Sequence, residues 1–372
     1  MSFPPLREEL RGIAPYGAPQ LDVPVQLNVN ENPYPPSPAC AAAIADAAGR
    51  AASSLNRYPD REFTSLREAL AAYLATDGGR GLTPAHLWAA NGSNEVMLHL
   101  LMAFGGPGRA AVSFAPTYSM YPEYARDTHT SWVVGHREQD FSLDLNHAVA
   151  TVRAHRPSVV ILPSPNNPTG TALPHEAVRV LAAELGESGL LVVDEAYAEF
   201  RRTGSPSALT LLPEHRNLVV TRTMSKAFAA AGARVGYLAA DPAVTDALRI
   251  VRLPYHLSAI TQATAVAALG FADELLGKVD LLRQERDALV TWLRDQGLAA
   301  ADSDANFVLF GVFSDRHAVW QALLDRGVLI RETGPDGWLR TSVGTSTEMA
   351  AFRSALAGVL EAAPTVAREE RP

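Results

Sequence analysis

Thr221-Arg222-Thr223-Met224-Ser225-Lys226-Ala227-Phe228-Ala229-Ala230-Ala231-Gly232-Ala233-Arg234 follows a short apolar run, Leu218-Val219-Val220. A lysine just beyond a strand-like run is unusual, because an ammonium is costly to bury unless it is paired or chemically used. Buried, it loses its proton readily and becomes a nucleophile for carbonyl carbon. Thr223, Ser225 and Arg234 add hydroxyl donors and a fixed cation, groups that hold a phosphate. One ligand with both an aldehyde and a phosphate is pyridoxal 5′-phosphate, and Lys226 would be its Schiff-base partner. Taken alone, a Ser-Lys pair is more often an exposed loop lysine beside a helix cap.

Four other stretches supply the remaining parts of such a site. Asn91-Gly92-Ser93-Asn94-Glu95 links an apolar run to a helical pattern. A small-residue turn into a helix N-terminus presents backbone N–H groups to a phosphate, though Ser or Asn there is also an ordinary N-cap. Ala115-Pro116-Thr117-Tyr118 closes another run, and Tyr118 can stack on a pyridine ring or simply pack in the core. Pro163-Ser164-Pro165-Asn166-Asn167-Pro168-Thr169-Gly170 is a proline-stiffened turn that can aim Asn167 at a phenolic oxygen. Leu191-Val192-Val193-Asp194-Glu195-Ala196-Tyr197 puts acids at a strand end. Asp194 there can pair with a protonated pyridine nitrogen, or bind a metal or a ribose, and Tyr197 can reach the phenolic oxygen. All these groups except Arg234 fall at or just past strand ends, where open α/β sheets bind ligands.

The wider chain suits an α/β enzyme. Apolar runs at 87–90, 110–114, 132–134, 159–162, 190–193, 218–220 and 235–239 alternate with helical segments. Continuous apolar strands between helices indicate a mainly parallel sheet covered on both faces. The expected organisation is an N-terminal arm at 1–35, a large domain at 36–274, a small α+β domain at 275–366 and a frayed tail at 367–372. The arm is Pro- and Asn-rich and reads as a cover over another surface. With 372 residues and 47% hydrophobic content the chain can fill a large core. A net charge of -8 argues against nucleic-acid or anionic-membrane binding, so anionic ligands need local arginines. Cys40 is the one cysteine, which excludes an intramolecular disulfide, and packing is its expected role. No apolar run is long enough to span a bilayer and no signal peptide opens the chain, so a soluble cytoplasmic protein is expected.

Together these motifs resemble the fold-type I pyridoxal-phosphate-dependent aminotransferases, across essentially the whole chain. Pro15-Tyr16-Gly17, Asn30-Glu31-Asn32-Pro33-Tyr34, Arg57-Tyr58-Pro59-Asp60, Ser303-Asp304-Ala305-Asn306-Phe307 and Leu339-Arg340 are most similar to the histidinol-phosphate aminotransferase branch of actinobacterial type. The resemblance implies that Lys226 carries the cofactor and moves a proton between substrate Cα and cofactor C4′. Asp194 would face the pyridinium, Asn167 and Tyr197 the phenolic oxygen, and Tyr118 the ring. Ser93, Asn94, Ser225 and Arg234 would hold the phosphate, with Thr223 nearby. Tyr58 would reach the cofactor of a second subunit, making the enzyme a homodimer. Arg340 would clamp the carboxylate of glutamate or 2-oxoglutarate, while Tyr16, Asn32 and Arg331 approach the phosphorylated amino donor. No metal is implied. Two departures stand out: Asn94 replaces an acid found in many relatives, and the loop 333–337 is short. An aromatic aminotransferase, a phosphothreonine decarboxylase and a catalytically silent cofactor-binding module are the rival readings.

Overall fold

The structure is a computed structural model and describes residues 4–362. The segment expected to fray, 367–372, lies outside them. Strand β1 (Val25–Gln26) comes first. The next seven strands form one sheet: β2 (Leu87–Ala90), β3 (Ala110–Ala115), β4 (Ser131–His136), β5 (Val159–Pro163), β6 (Leu190–Asp194), β7 (Leu218–Thr223) and β8 (Gly236–Ala240). All seven coincide with the apolar runs. Their spatial order is β2-β8-β7-β6-β5-β3-β4. The β4-β3-β5-β6-β7 block is parallel, and β8 runs antiparallel to β2 and β7. Every residue of β2, β5, β6, β7 and β8 is buried, as expected of strands sandwiched between helices.

This topology gathers strand ends at one edge. Pro163 pairs with Asp194, Asp194 with Thr221, and Thr223 with Gly236, which in turn pairs with Ala90. The C-terminal ends of β2, β5, β6 and β7 therefore meet there. A Cβ on Gly236 would collide with the backbone of Ser93. Glycine thus lets the helix Ser93–Phe104 begin directly against the sheet.

After the sheet comes the helix Ala272–Asp295, which crosses the expected boundary near 275 and spans about 36 Å. Beyond it lie β9 (Ala299–Ala300), β10 (Phe307–Gly311), β11 (Val328–Leu329), β12 (Arg331–Glu332) and β13 (Leu339–Ser342). Four of these make a small antiparallel sheet, ordered β12-β13-β10-β9. The fifth, β11, pairs in parallel with β1.

That last pairing corrects the expected arm. Part of it is not merely draped over the surface: Val25 and Leu27 are buried in the core. A two-residue strand has no periodicity to betray it. Cys40 is buried near the start of the helix Pro38–Ala52, whose N-cap is Ser37.

Candidate active site

The gathered strand ends and the small sheet enclose a cavity of about 510 Å³. It is lined by Tyr16, Ser93, Asn94, Tyr118, Asn167, Asp194, Tyr197, Thr223, Ser225, Lys226, Arg234, Arg331 and Arg340. Thirteen of the fifteen anticipated residues therefore converge. Tyr58 and Asn32 do not line it.

At the floor, Asp194 is buried at the end of β6. Its Oδ2 accepts from the Tyr121 hydroxyl at 2.7 Å, and its Oδ1 from Thr221 Oγ1 at 3.0 Å. Burial pushes its carboxyl above the usual range, and these hydrogen bonds pull the other way. Among the described residues it has no ion-pair partner. A buried carboxylate satisfied by neutral donors is suited to a cation that arrives with a ligand.

Lys226 stands in the turn after β7, half-buried, and its Nζ donates to the Val29 carbonyl at 2.9 Å. Burial, then the nearby Arg340, pushes this amine down to about 8. It thus has a substantial neutral, nucleophilic fraction near neutral pH. The chain has only one other lysine, Lys278, which is exposed on the helix Ala272–Asp295.

At one end lies the phosphate cradle. The helix Ser93–Phe104 starts at Gly92, and no side chain caps it. Gly92 has φ +89°, and a Cβ there would strike the Arg234 guanidinium. Glycine thus admits the cation to the helix start. Arg234 Nη1 lies 3.4 Å from Ser225 Oγ, and Thr223 Oγ1 donates to the same oxygen at 3.0 Å. Helix dipole, guanidinium and hydroxyls make a dianion site. The half-buried Tyr118 ring stands beside it, edge-on to Tyr121. Amine, carboxylate and cradle together fit pyridoxal phosphate.

The roof is cationic. Arg331 on β12 and Arg340 on β13 are directly opposed across the ladder. Like charges so placed repel. Neither has an ion-pair partner among the described residues. Arg340 donates from Nη1 to Asn167 Oδ1 at 2.6 Å and from Nη2 to the Asn28 carbonyl at 2.9 Å, while its buried Nε is unpartnered. Holding Asn167 by its oxygen turns the NH2 end toward the cavity as a donor. The neighbouring Asn166 instead braces the loop, donating to the Pro116 carbonyl and Thr169 Oγ1. Arg331 Nη2 reaches the Gly17 carbonyl at 3.2 Å.

Two anticipated residues stand outside this cavity. Asn32 donates to the Ala227 carbonyl at 3.2 Å, so it steadies the turn that carries Lys226. Tyr58 is 79% exposed and stacks on Tyr255, 4.4 Å between centroids. Sequence reasoning missed Tyr121, Thr221 and the run Asn28-Val29-Asn30. The last is notable because each residue meets a different element of the site: Asn28 meets Arg340, Val29 meets Lys226, and Asn30 donates from Nδ2 to Tyr197 Oη at 3.1 Å.

The model of the family described as aminotransferase class I and II matches residues 23–356. The chain belongs to that family. It is 63% identical to a histidinol-phosphate aminotransferase of Thermobifida fusca, over 95% of this chain and 94% of that protein. Identity to histidinol-phosphate aminotransferase 3 of Burkholderia lata is 60%, over 96% of each. Among solved structures, the histidinol-phosphate aminotransferase of Sinorhizobium meliloti in complex with pyridoxal-5′-phosphate superposes with a TM-score of 0.83 at 26% identity, covering 97% of this chain and 99% of that one. A seven-stranded, mainly parallel sheet with a smaller C-terminal sheet is thus the fold-type I aminotransferase architecture. Among the described residues no helix is long and apolar enough to cross a membrane.

Proposed function

We propose that this enzyme transfers the amino group of L-histidinol phosphate to 2-oxoglutarate, giving imidazole-acetol phosphate and L-glutamate in histidine biosynthesis. The observation that carries this reading is the opposed, unpaired Arg331 and Arg340 over an amine–carboxylate pair. A phosphate dianion or a dicarboxylate can neutralise both arginines, whereas phenylalanine brings one carboxylate. The names of the relatives agree.

When bound, pyridoxal phosphate supplies an electron sink for charge developing at substrate Cα. The chain's own groups do the rest. Asp194 holds a positive charge at the floor, fixed by Tyr121 and Thr221. Lys226 Nζ takes the proton from Cα and later returns one. Ser93, Asn94, Thr223, Ser225 and Arg234 would hold the cofactor's phosphate, Tyr118 would cover its ring, and Asn167 and Tyr197 would donate to its phenolic oxygen. Arg340 and Arg331 orient the substrate anions, and Tyr16 closes the outer wall.

Tyr58 then acts in a homodimer, reaching the second subunit's site, in a cytoplasmic enzyme whose small unit begins at the helix Ala272–Asp295. Its exposed ring, with Leu253 at 74% and Ile250 at 84% exposure, supports a covered face. Lys226→Ala co-expressed with Tyr58→Ala should restore activity that neither variant shows alone at limiting cofactor. Mixed dimers no better than the parents would remove Tyr58 from the shared site.

Half-reaction spectra test the substrate. Histidinol phosphate should convert the bound cofactor's absorbance fully and faster than phenylalanine, and phosphothreonine should release no carbon dioxide. Arg331→Ala should raise KM for histidinol phosphate about 10- to 100-fold, the loss of one charge-assisted contact, with little change for phenylalanine. Equal losses on both substrates would return the aromatic reading to favour.

A further inference from the structure

Tyr197 has a hydroxyl that can either donate or accept, and the chemistry needs a donor. Stabilising negative charge on a phenolic oxygen requires an O–H pointed at it. The ring is set by Phe307 of β10, edge-on at 5.0 Å. The direction of the proton is a separate matter, and neither Phe307 nor the cavity decides it.

Asn30 does. It is buried, with φ +56°, a left-handed conformation that Asn, Asp and Gly adopt most readily. Its backbone N–H donates to Ser342 Oγ at 2.8 Å. With that lone pair engaged, the Ser342 hydroxyl donates back to Asn30 Oδ1 at 3.1 Å. The amide is thereby oriented: oxygen toward Ser342, NH2 toward Tyr197, donating to Oη at 3.1 Å. A flipped amide would leave the buried Ser342 proton without a partner among the described residues, which is costly. The Asn30 carbonyl is held in turn by Asn306 Nδ2 at 3.0 Å.

We propose that Asn30 is a positioning residue that fixes the hydrogen-bond polarity of Tyr197, occupying its acceptor side so that its proton faces the cavity. The inference rests on the proposed cofactor site and extends it to a residue that contacts neither cofactor nor substrate. It also makes a large-domain catalytic group answer to the small sheet, through Ser342 and Asn306. The charged and titratable groups around the Tyr197 hydroxyl are Arg340, Asp194 and Tyr16, with Lys226 Nζ 5.9 Å from the ring.

The test uses the holoenzyme and reads the pH midpoint of the bound cofactor's absorbance, with Tyr197→Phe as reference. Losing the donor should raise that midpoint. Asn30→Asp keeps the backbone conformation but offers an acceptor, so the tyrosine proton turns away from the cavity. A rise of about one unit is expected, a tenfold change in the equilibrium. Asn30→Gly, which adds no charge, should move it the same way by less, and both variants should lower kcat more than they raise KM. An unmoved midpoint in both, while Tyr197→Phe shifts it, would overturn the proposal and leave the cofactor site standing. A rise in Asn30→Asp alone would report added charge and also overturn it. No shift in Tyr197→Phe would undo the placement of the cofactor against Tyr197, and the proposal with it.

Discussion

Lys226→Ala is expected to bind pyridoxal phosphate and yet turn over at least about ten-thousand-fold more slowly, the upper range for losing a positioned proton carrier. Binding survives because the helix start at Ser93, Ser225, Arg234 and Asp194 are independent of the amine. Catalysis does not, because the only other lysine is exposed Lys278, its ammonium 5.8 Å from the Tyr34 ring. The ionisation of Lys226 gives a second check. Its amine lies near 8, below the ordinary lysine range. Between the two values the unfolded chain keeps a proton that the folded protein has lost, so the cofactor-free enzyme should gain stability as pH rises across that window. Acylation of the cofactor-free protein, followed site by site, should give a midpoint near 8 at Lys226. Turnover by Lys226→Ala within tenfold of wild type would end the proposed mechanism.

Much of this was legible because burial leaves a mark on composition. Strands covered on both faces must be largely apolar, and the buried runs of β5 and β6 are, up to their final residues. Where such a run breaks into Asp194 or into Thr223, Ser225 and Lys226, the polar residue stands at the sheet edge. The helix Ser93–Phe104 was readable from its small-residue start. What stayed hidden depends on pairing between distant segments. Tyr121 reaches Asp194 across 73 residues and Asn30 reaches Tyr197 across 167. No local pattern encodes either contact. Thr221 faces Asp194 only because β6 and β7 are in register, while Arg222 between Thr221 and Thr223 points to the opposite face and binds Glu195 at 2.7 Å. The arm strand β1 and the strands β11 and β12 are two residues each, too short for alternation to register. Asn32 and Asn30 share one motif, and only the turn between them separates the lysine brace from the tyrosine brace.

Asp194→Asn should separate stability from activity. The carboxylate is buried among neutral donors, and burial raises its affinity for a proton. A carboxyl raised in this way makes the folded state hold a proton that the unfolded chain has already released, so stability falls as pH rises through that interval. Above that interval the cofactor-free protein carries the whole cost. An asparagine removes the charge and keeps the geometry: its oxygen can accept from Thr221 and the Ala196 N–H, and its amide can donate to Tyr121 with that hydroxyl reversed. The cofactor-free variant should therefore melt at a higher temperature than wild type. Its turnover should fall by at least about two orders of magnitude, since breaking a buried charge pair costs about 3–5 kcal/mol. Melting curves without cofactor, paired with steady-state rates at saturating cofactor, read both effects. A variant that is less stable and nearly as active would mean that Asp194 serves the fold, and that the floor of the cavity holds no cation.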